Sequence, residues 1–200
     1  MVTTSHCAEP RDLPTPAGPI TPAGSSGSGI SLRADALAVR RGHEQILGPE
    51  TFALTGPAVA LLTGPDPAAR MALAAALTGS LPPDRFTVTG TVAANGRTSP
   101  PLVRAATALA QSWRVRSAPD ELGRRLAALD WAARDGAGIV VACPGLDGLT
   151  AGEQLDVLAA ARGLARQGRL VVLTSGAAGI AAEALAEADV TILLTAAAPR

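Results

Sequence analysis

The sequence predicts an α/β fold: a parallel sheet covered by helices on both faces, with antiparallel strands ahead of it. Three observations carry this expectation. Over the second half of the chain, strand-like apolar runs alternate with helical stretches, the order that buries a parallel sheet. Over residues 30–54 and 86–94 the strand-like runs instead follow one another across short turns, as antiparallel strands do. Residues 58–77 read A-V-A-L-L-T-G-P-D-P-A-A-R-M-A-L-A-A-A-L, an apolar strand, a turn and an alanine- and leucine-rich helix.

Composition narrows what such a fold can do. Two hundred residues suit one domain with a sizeable core. Hydrophobic residues make up 48% but aromatics only 2% (Phe52, Phe86, Trp113 and Trp131), so the core is Ala, Leu and Val and modest stability is expected. Positive and negative charges balance at 17 each, which leaves no basic field for nucleic acid or an anionic membrane. So few aromatics also make no base-stacking platform. All 17 positive charges are arginine; the missing lysine fits a GC-rich coding bias, and no lysine is left anywhere to grip a phosphate. Cys7 and Cys143 are far apart and read as unpaired thiols of a reducing compartment. The start, M-V-T-T-S-H-C-A-E-P, lacks the basic and apolar regions of a signal peptide, and no apolar run reaches the ~18 residues that span a bilayer. The expectation is a soluble, cytoplasmic protein with no direct membrane insertion and no nucleic-acid partner.

The chain divides at residue 30. Residues 1–29 carry Pro10, Pro14, Pro16, Pro19 and Pro22 and end in G-S-S-G-S-G, a tail with too little apolar surface to offset ordering entropy. His6 and Cys7 in this tail have no second ligand pair, so no metal site is read there. Residues 30–196 are the predicted domain. There I-S-L-R-A-D-A-L-A-V (30–39) alternates as a half-buried strand; after a turn at Gly42 a second strand covers 46–54, then Gly56-Pro57 leads into the strand over 58–63. The following helix stops at Leu81-Pro82-Pro83. Residues 86–94 read as two short strands about Gly90, closing on the turn pair Asn95-Gly96, and 103–110 as an apolar strand ending at Gln111. Ser117-Ala118-Pro119-Asp120 opens a helix with an N-cap, a first-turn proline and an acid at its positive end; Leu122, Leu126 and Leu129 share its apolar face. Then come a strand over 138–142, a helix from the capping box Thr150-Ala151-Gly152-Glu153 to Arg166, a strand over 169–174, a helix over 177–186 and a strand over 190–194.

Chemistry is expected in the turn after the 58–63 strand. Strand, turn and helix are the setting of a P-loop, G-x-x-x-x-G-K-[ST], whose backbone N–H groups cradle phosphates. The eight positions here are Gly64, Pro65, Asp66, Pro67, Ala68, Ala69, Arg70 and Met71. Pro67 has no N–H to give, and Ala69 puts a Cβ where backbone should approach phosphate. Arg70 keeps a positive charge on a fork larger than an ammonium, and Met71 offers no oxygen to Mg²⁺. Two readings stay open for 64–71: a strand–helix turn without a ligand, or residual anion binding at the helix N-terminus.

The stretches L-A-V-R-R-G-H-E-Q-I-L (37–47), G-P-D-P-A-A-R-M (64–71), G-T-V-A-A-N-G (90–96), A-L-A-Q-S (108–112), D-E-L-G-R-R (120–125), I-V-V-A-C-P (139–144) and V-V-L-T-S (171–175) follow one another in a recognisable order. Over roughly 30–194 that order resembles the nucleotide-binding subunit of ABC transporters, in which ATP is sandwiched between two cassettes and its hydrolysis drives a membrane partner. The resemblance implies a P-loop NTPase-like, ABC ATPase-type three-layer sandwich with an antiparallel β subdomain and a reduced helical subdomain. It implies ATP as the ligand, held weakly by residues 64–71 and Gln111, with no Mg²⁺ seat. It also implies a membrane permease or an intact ABC ATPase subunit as partner, and a place at the inner face of the cell membrane.

Matched to the family pattern, the strand over 138–142 should end in a metal-holding Asp and a water-polarising Glu; Ala142, Cys143 and Pro144 stand there. Asp147 reads as a turn aspartate, with a stand-in for the family's later L-D element, or a relocated catalytic acid, as alternatives. Cys143 would need a base to act as a nucleophile, and the only histidines are His6 and His43, so it reads as a buried structural thiol. Ser175 replaces the histidine that touches the γ-phosphate and cannot switch charge. Gln111 either matches the family's metal-sensing glutamine or is a chance strand-end residue. Glu121-Leu122-Gly123-Arg124-Arg125 looks like the L-S-G-G-Q motif with its middle removed, where the transporter-contacting helical subdomain is largely missing. Arg41, at the place of the adenine-stacking aromatic, is a solvated charge or a weak stacking plane, and His43 is read as surface. A general base contributes ~10²–10⁴ in rate and a metal adds several kcal/mol. With these groups substituted together no catalytic residue and no metal ligand is assigned. The implied function is an ATP-binding-like protein unable to hydrolyse ATP; the alternative is a non-catalytic interaction or scaffold subunit of a transporter complex that binds no nucleotide.

Overall fold

A computed structural model describes residues 29–194. The tail reading over 1–28, with His6, Cys7 and the signal-peptide question, and the domain end at 195–196 lie outside the described residues. In chain order the elements are β1 (Ser31–Arg41), β2 (Glu44–Thr55), β3 (Ala58–Thr63), α1 (Pro67–Leu77), β4 (Thr87–Ala94), α2 (Pro100–Ala106), β5 (Thr107–Ala110), α3 (Glu121–Arg134), β6 (Ile139–Ala142), α4 (Ala151–Arg166), β7 (Leu170–Ser175), α5 (Ala182–Glu187) and β8 (Val190–Leu193), with 3₁₀ turns at Ser112–Arg114 and Ala177–Gly179.

Two sheets form, one antiparallel in the order β2-β1-β4 and one parallel in the order β5-β6-β7-β3-β8. The inner strands β3, β6 and β7 are mostly apolar because both their faces are covered, and their period-2 alternation sorts them between two cores, whereas the edge strand β8 is largely exposed. Ala60, Leu62, Ile139, Val141, Leu170 and Val172 face a core shared with α1 and the antiparallel sheet. Val59, Leu61, Val140, Ala142, Val171 and Leu173 face α3, α4 and α5. This is the expected three-layer α/β sandwich with an antiparallel subdomain.

Four local expectations are corrected. Residues 103–110 are not one strand: α2 occupies Pro100–Ala106 and β5 only Thr107–Ala110, because Pro100 and Pro101 fill the first helical positions, where a missing N–H costs nothing. Residues 86–94 are one strand, β4, with Gly90 (φ +80°) lying against a bulge in β1 where Ala36 takes φ +47°. The cap of α3 is Asp120, not Ser117; its Oδ1 accepts the Gly123 N–H at 2.6 Å. The helix over 177–186 is a 3₁₀ turn followed by the short α5. The capping box of α4 is present in both directions between Thr150 and Glu153. Among the described residues no helix is long and apolar enough to cross a membrane.

Pairing of Thr63 with Ser175, Leu173 with Ala142 and Ala142 with Ala110 aligns the C-terminal ends of β3, β7, β6 and β5. The turns that leave them, at 64, 176, 143 and 111, therefore gather along one edge of the sheet, the place where open α/β sheets bind ligands.

Candidate functional site

The 64–71 turn sits between β3 and α1 as expected, but much of its backbone donor set is missing or bonded within the protein. Pro65 and Pro67 have no N–H. The Gly64 N–H goes to Ser175 O (3.2 Å), the Ala68 N–H to the Asp66 carboxylate (2.8 Å) and the Arg70 N–H to Asp66 O (3.2 Å). Five of the eight positions thus present no free backbone donor. Asp66 is the N-cap of α1, so a carboxylate occupies the positive end of the helix, where a phosphate oxygen would otherwise lie.

Arg70 is folded back onto its own turn and is 5% exposed. One guanidinium nitrogen donates to the Gly64 carbonyl and the other to Asp147 Oδ1 at 2.8 Å. The same oxygen accepts the Gly176 N–H at 2.7 Å. Gly176 makes room for the pair, since a Cβ there would meet Asp147 Oδ1 at 3.2 Å and the guanidinium at 3.6 Å. Asp147 is therefore not an ordinary turn aspartate: it is the counter-ion of Arg70 and ties the β6 and β7 loops to the 64–71 turn.

Arg125 holds the backbone of that β6 loop. It is 6% exposed and donates to the carbonyls of Pro144 (2.6 Å), Gly145 (2.7 Å) and Asp147 (2.9 Å), while its Nε binds Glu121 Oε1 at 2.6 Å. Glu121 also accepts from Arg124 at 2.8 Å and Ser112 at 3.0 Å. Burial pushes the Glu121 carboxyl up, but hydrogen bonds from Arg124, Arg125 and Ser112 and the charge of Arg125 outweigh it, leaving a pKa of about 2 against an ordinary 4.5. The E-L-G-R-R stretch, matched above to a motif that faces a second cassette, is thus bound to its own chain.

The other singled-out residues are not drawn into one site. Met71 is on the exposed side of α1, and Ala142 and Cys143 are buried at the end of β6. Burial pushes the Cys143 thiol up, against an opposing hydrogen bond from Thr174, so it is no ready thiolate. Ser175 is fully buried, its hydroxyl 3.5 Å from Gly176 O. Gln111 opens the 3₁₀ turn after β5, with its Oε1 buried and unpartnered among the described residues. Arg41 pairs with Glu44 at 2.8 Å at the exposed hairpin end, beside an exposed His43. Among the described residues no group of three or more His, Cys, Asp or Glu is placed to hold a metal. Sequence reasoning missed the Arg70–Asp147–Arg125 linkage; the one available signal was an arginine among the small apolar residues of α1, which needs a partner but does not name it.

Solved structures fix the class: the fold is that of the ABC-type, P-loop NTPase-like ATP-binding cassette. The ADP form of MJ1267, an ATP-binding cassette of an ABC transporter, is 12% identical, with a TM-score of 0.64 over 82% of this chain and 87% of that one. CbiO1 from Clostridium perfringens, part of the transporter complex CbiONQ, is 8% identical, with a TM-score of 0.61 over 82% and 84%. An ATP-bound bacterial Atm1-family exporter is 15% identical, with a TM-score of 0.56 over 88% of this chain and 39% of the longer one. No family model matches the sequence, and no curated protein matches it.

Proposed function

We propose that this chain is an ATP-binding-cassette-fold protein that does not hydrolyse ATP and holds nucleotide weakly or not at all. The Arg70–Asp147 pair carries the reading. A triphosphate entering the turn must displace Asp147 as the partner of Arg70, and then lies beside the carboxylates of Asp147 and Asp66 with few backbone donors to offset the repulsion. Met71 and Ala142 add no oxygen for Mg²⁺, so the residues present do not fit the metal-bound triphosphate and no hydrolytic step is derived through it. Calorimetric titration with Mg-ATP, with Gln111→Ala as control, is expected to give no saturable heat in the micromolar range beyond any that R114A/R116A abolishes. Multiple turnovers of ATP by a clean preparation would overturn the inactive half of the proposal.

A second reading is favoured by the inward-bound E-L-G-R-R stretch, which is committed to Arg125's carbonyl contacts and is not free to complete a partner's ATP site. On this reading the chain is a cytoplasmic scaffold subunit that binds no nucleotide and sits at the inner face of the membrane against a permease or an intact ABC ATPase. Assembly of the solved neighbours into transporter complexes motivates those partners. Co-purification with a cassette or membrane protein encoded beside it supports this reading; a monomer that captures neither removes it.

A further inference from the structure

A cavity of about 680 Å³ lies between the segment that follows β5 and one side of α3, and no residue of the 64–71 turn lines it. Its volume falls within the roughly 300–1,000 Å³ of small-molecule sites. Ala127, Asp130, Trp131 and Arg134, spaced at i, i+3, i+4 and i+7, put one stripe of α3 in its wall with Ala128 beside them, while Leu129 and Ala132 turn to the core. Facing the stripe are Gln111, Arg114 and Arg116.

The groups in this wall are of three kinds, and each asks for something. Trp131 is 53% exposed, a large aromatic face without a covering group. Arg114 and Arg116 form no ion pair or side-chain hydrogen bond among the described residues, whereas Arg134 is matched with Asp130 at 2.6 Å. In a chain whose charges cancel overall, the cavity wall holds three arginines against one aspartate. The Gln111 Oε1 atom is buried with no donor among the described residues, which marks this wall as polar as well as aromatic and cationic. The geometry points to a small planar aromatic molecule carrying a phosphate or carboxylate. Its ring stacks on Trp131 and its anion bridges Arg114 and Arg116, with Gln111 in the wall beside them. One aromatic face suits one ring, not the successive bases of a nucleic-acid strand. The site goes beyond the proposed function, since it needs neither the 64–71 turn nor ATP hydrolysis.

Fluorescence titration of the full chain carrying Trp113→Phe, in which Trp131 is the sole tryptophan, tests this. AMP and naphthalene-2-carboxylate are the probes; adenosine and inorganic phosphate each lack half of the required chemistry. Saturable quenching by AMP assigns a nucleotide-type ligand, and by naphthalene-2-carboxylate an aromatic acid; either supports the site. Adenosine and phosphate should bind on the order of tenfold more weakly, and R114A/R116A should weaken the preferred probe by a similar factor without lowering the melting temperature. Absence of saturable quenching by both aromatic anions overturns the site, as does an affinity unchanged in R114A/R116A. Quenching strengthened in D147A but unchanged in R114A/R116A would place the ligand at the 64–71 turn and overturn the site. That outcome, like ATP turnover, counts against the closed-turn reading, whereas failure of the probes leaves that reading intact.

Discussion

Arg70 is a buried cation on a helix otherwise made of Pro, Ala, Met and Leu, and such a group is tolerated only when paired and hydrogen-bonded. Asp147→Ala removes the counter-ion and the acceptor of the Gly176 N–H together. Stability in urea denaturation should fall by about 3 kcal/mol, the scale for stranding a buried charge. The same variant should gain measurable affinity for pyrophosphate, because Arg70 then lacks its internal anion; Asp147→Asn, which keeps an acceptor, should lose less stability. Glu121 sets a pH limit on the same network. Its folded pKa of about 2 lies below the ordinary 4.5, so its contribution is complete above pH 4.5 and is lost as pH falls toward 2. Glu121→Gln should therefore be less stable than the parent at pH 7 and lose less stability between pH 4.5 and 2, as followed by chemical denaturation. The substituted identities at 64–71 were legible from sequence; that Arg70 would be internally neutralised was not, because its partner lies 77 positions away.

Elements were legible where a local device marks their ends. The box at Thr150 and Glu153 and the turn at Gly42 each satisfy backbone groups within a few residues, so they stand out in the chain. Between α2 and β5 no such device exists: Ala106 is followed directly by Thr107, and V-R-A-A-T-A-L-A suits helix or strand alike. Pairing of β5 with β6 decides where the helix stops. The β1–β4 ladder depends on a different device. A Cβ on Gly90 would meet the Ala36 carbonyl oxygen at 2.2 Å, and the residue sits at φ +80°. Gly90→Ala should cost about 3 kcal/mol in thermal or urea unfolding, from strain and overpacking together, and should loosen β4 before the parallel sheet, as read by amide exchange.

At the scale of the whole molecule, the two faces of one apolar sheet are served by different partners, the antiparallel sheet with α1 on one side and α3 to α5 on the other. With Phe52 and Phe86 as the only phenylalanines and both tryptophans half exposed, each leucine carries an unusual share of the burial. Leu62→Ala, at a fully buried site on β3, should cost about 3 kcal/mol by denaturant unfolding, a large part of the roughly 5–15 kcal/mol typical of a domain. By itself the sequence determined the class of fold, most strand and helix positions and the groups missing from the 64–71 turn, because period, capping and residue chemistry act over a few neighbours. Only the tertiary structure decided that Asp147 closes that turn, that Arg125 binds its own chain's loop, and that Gln111, Arg114, Arg116 and Trp131 share a cavity. Those relations join groups brought together by strand order, and strand order is set by burial summed over the whole chain rather than by any local stretch.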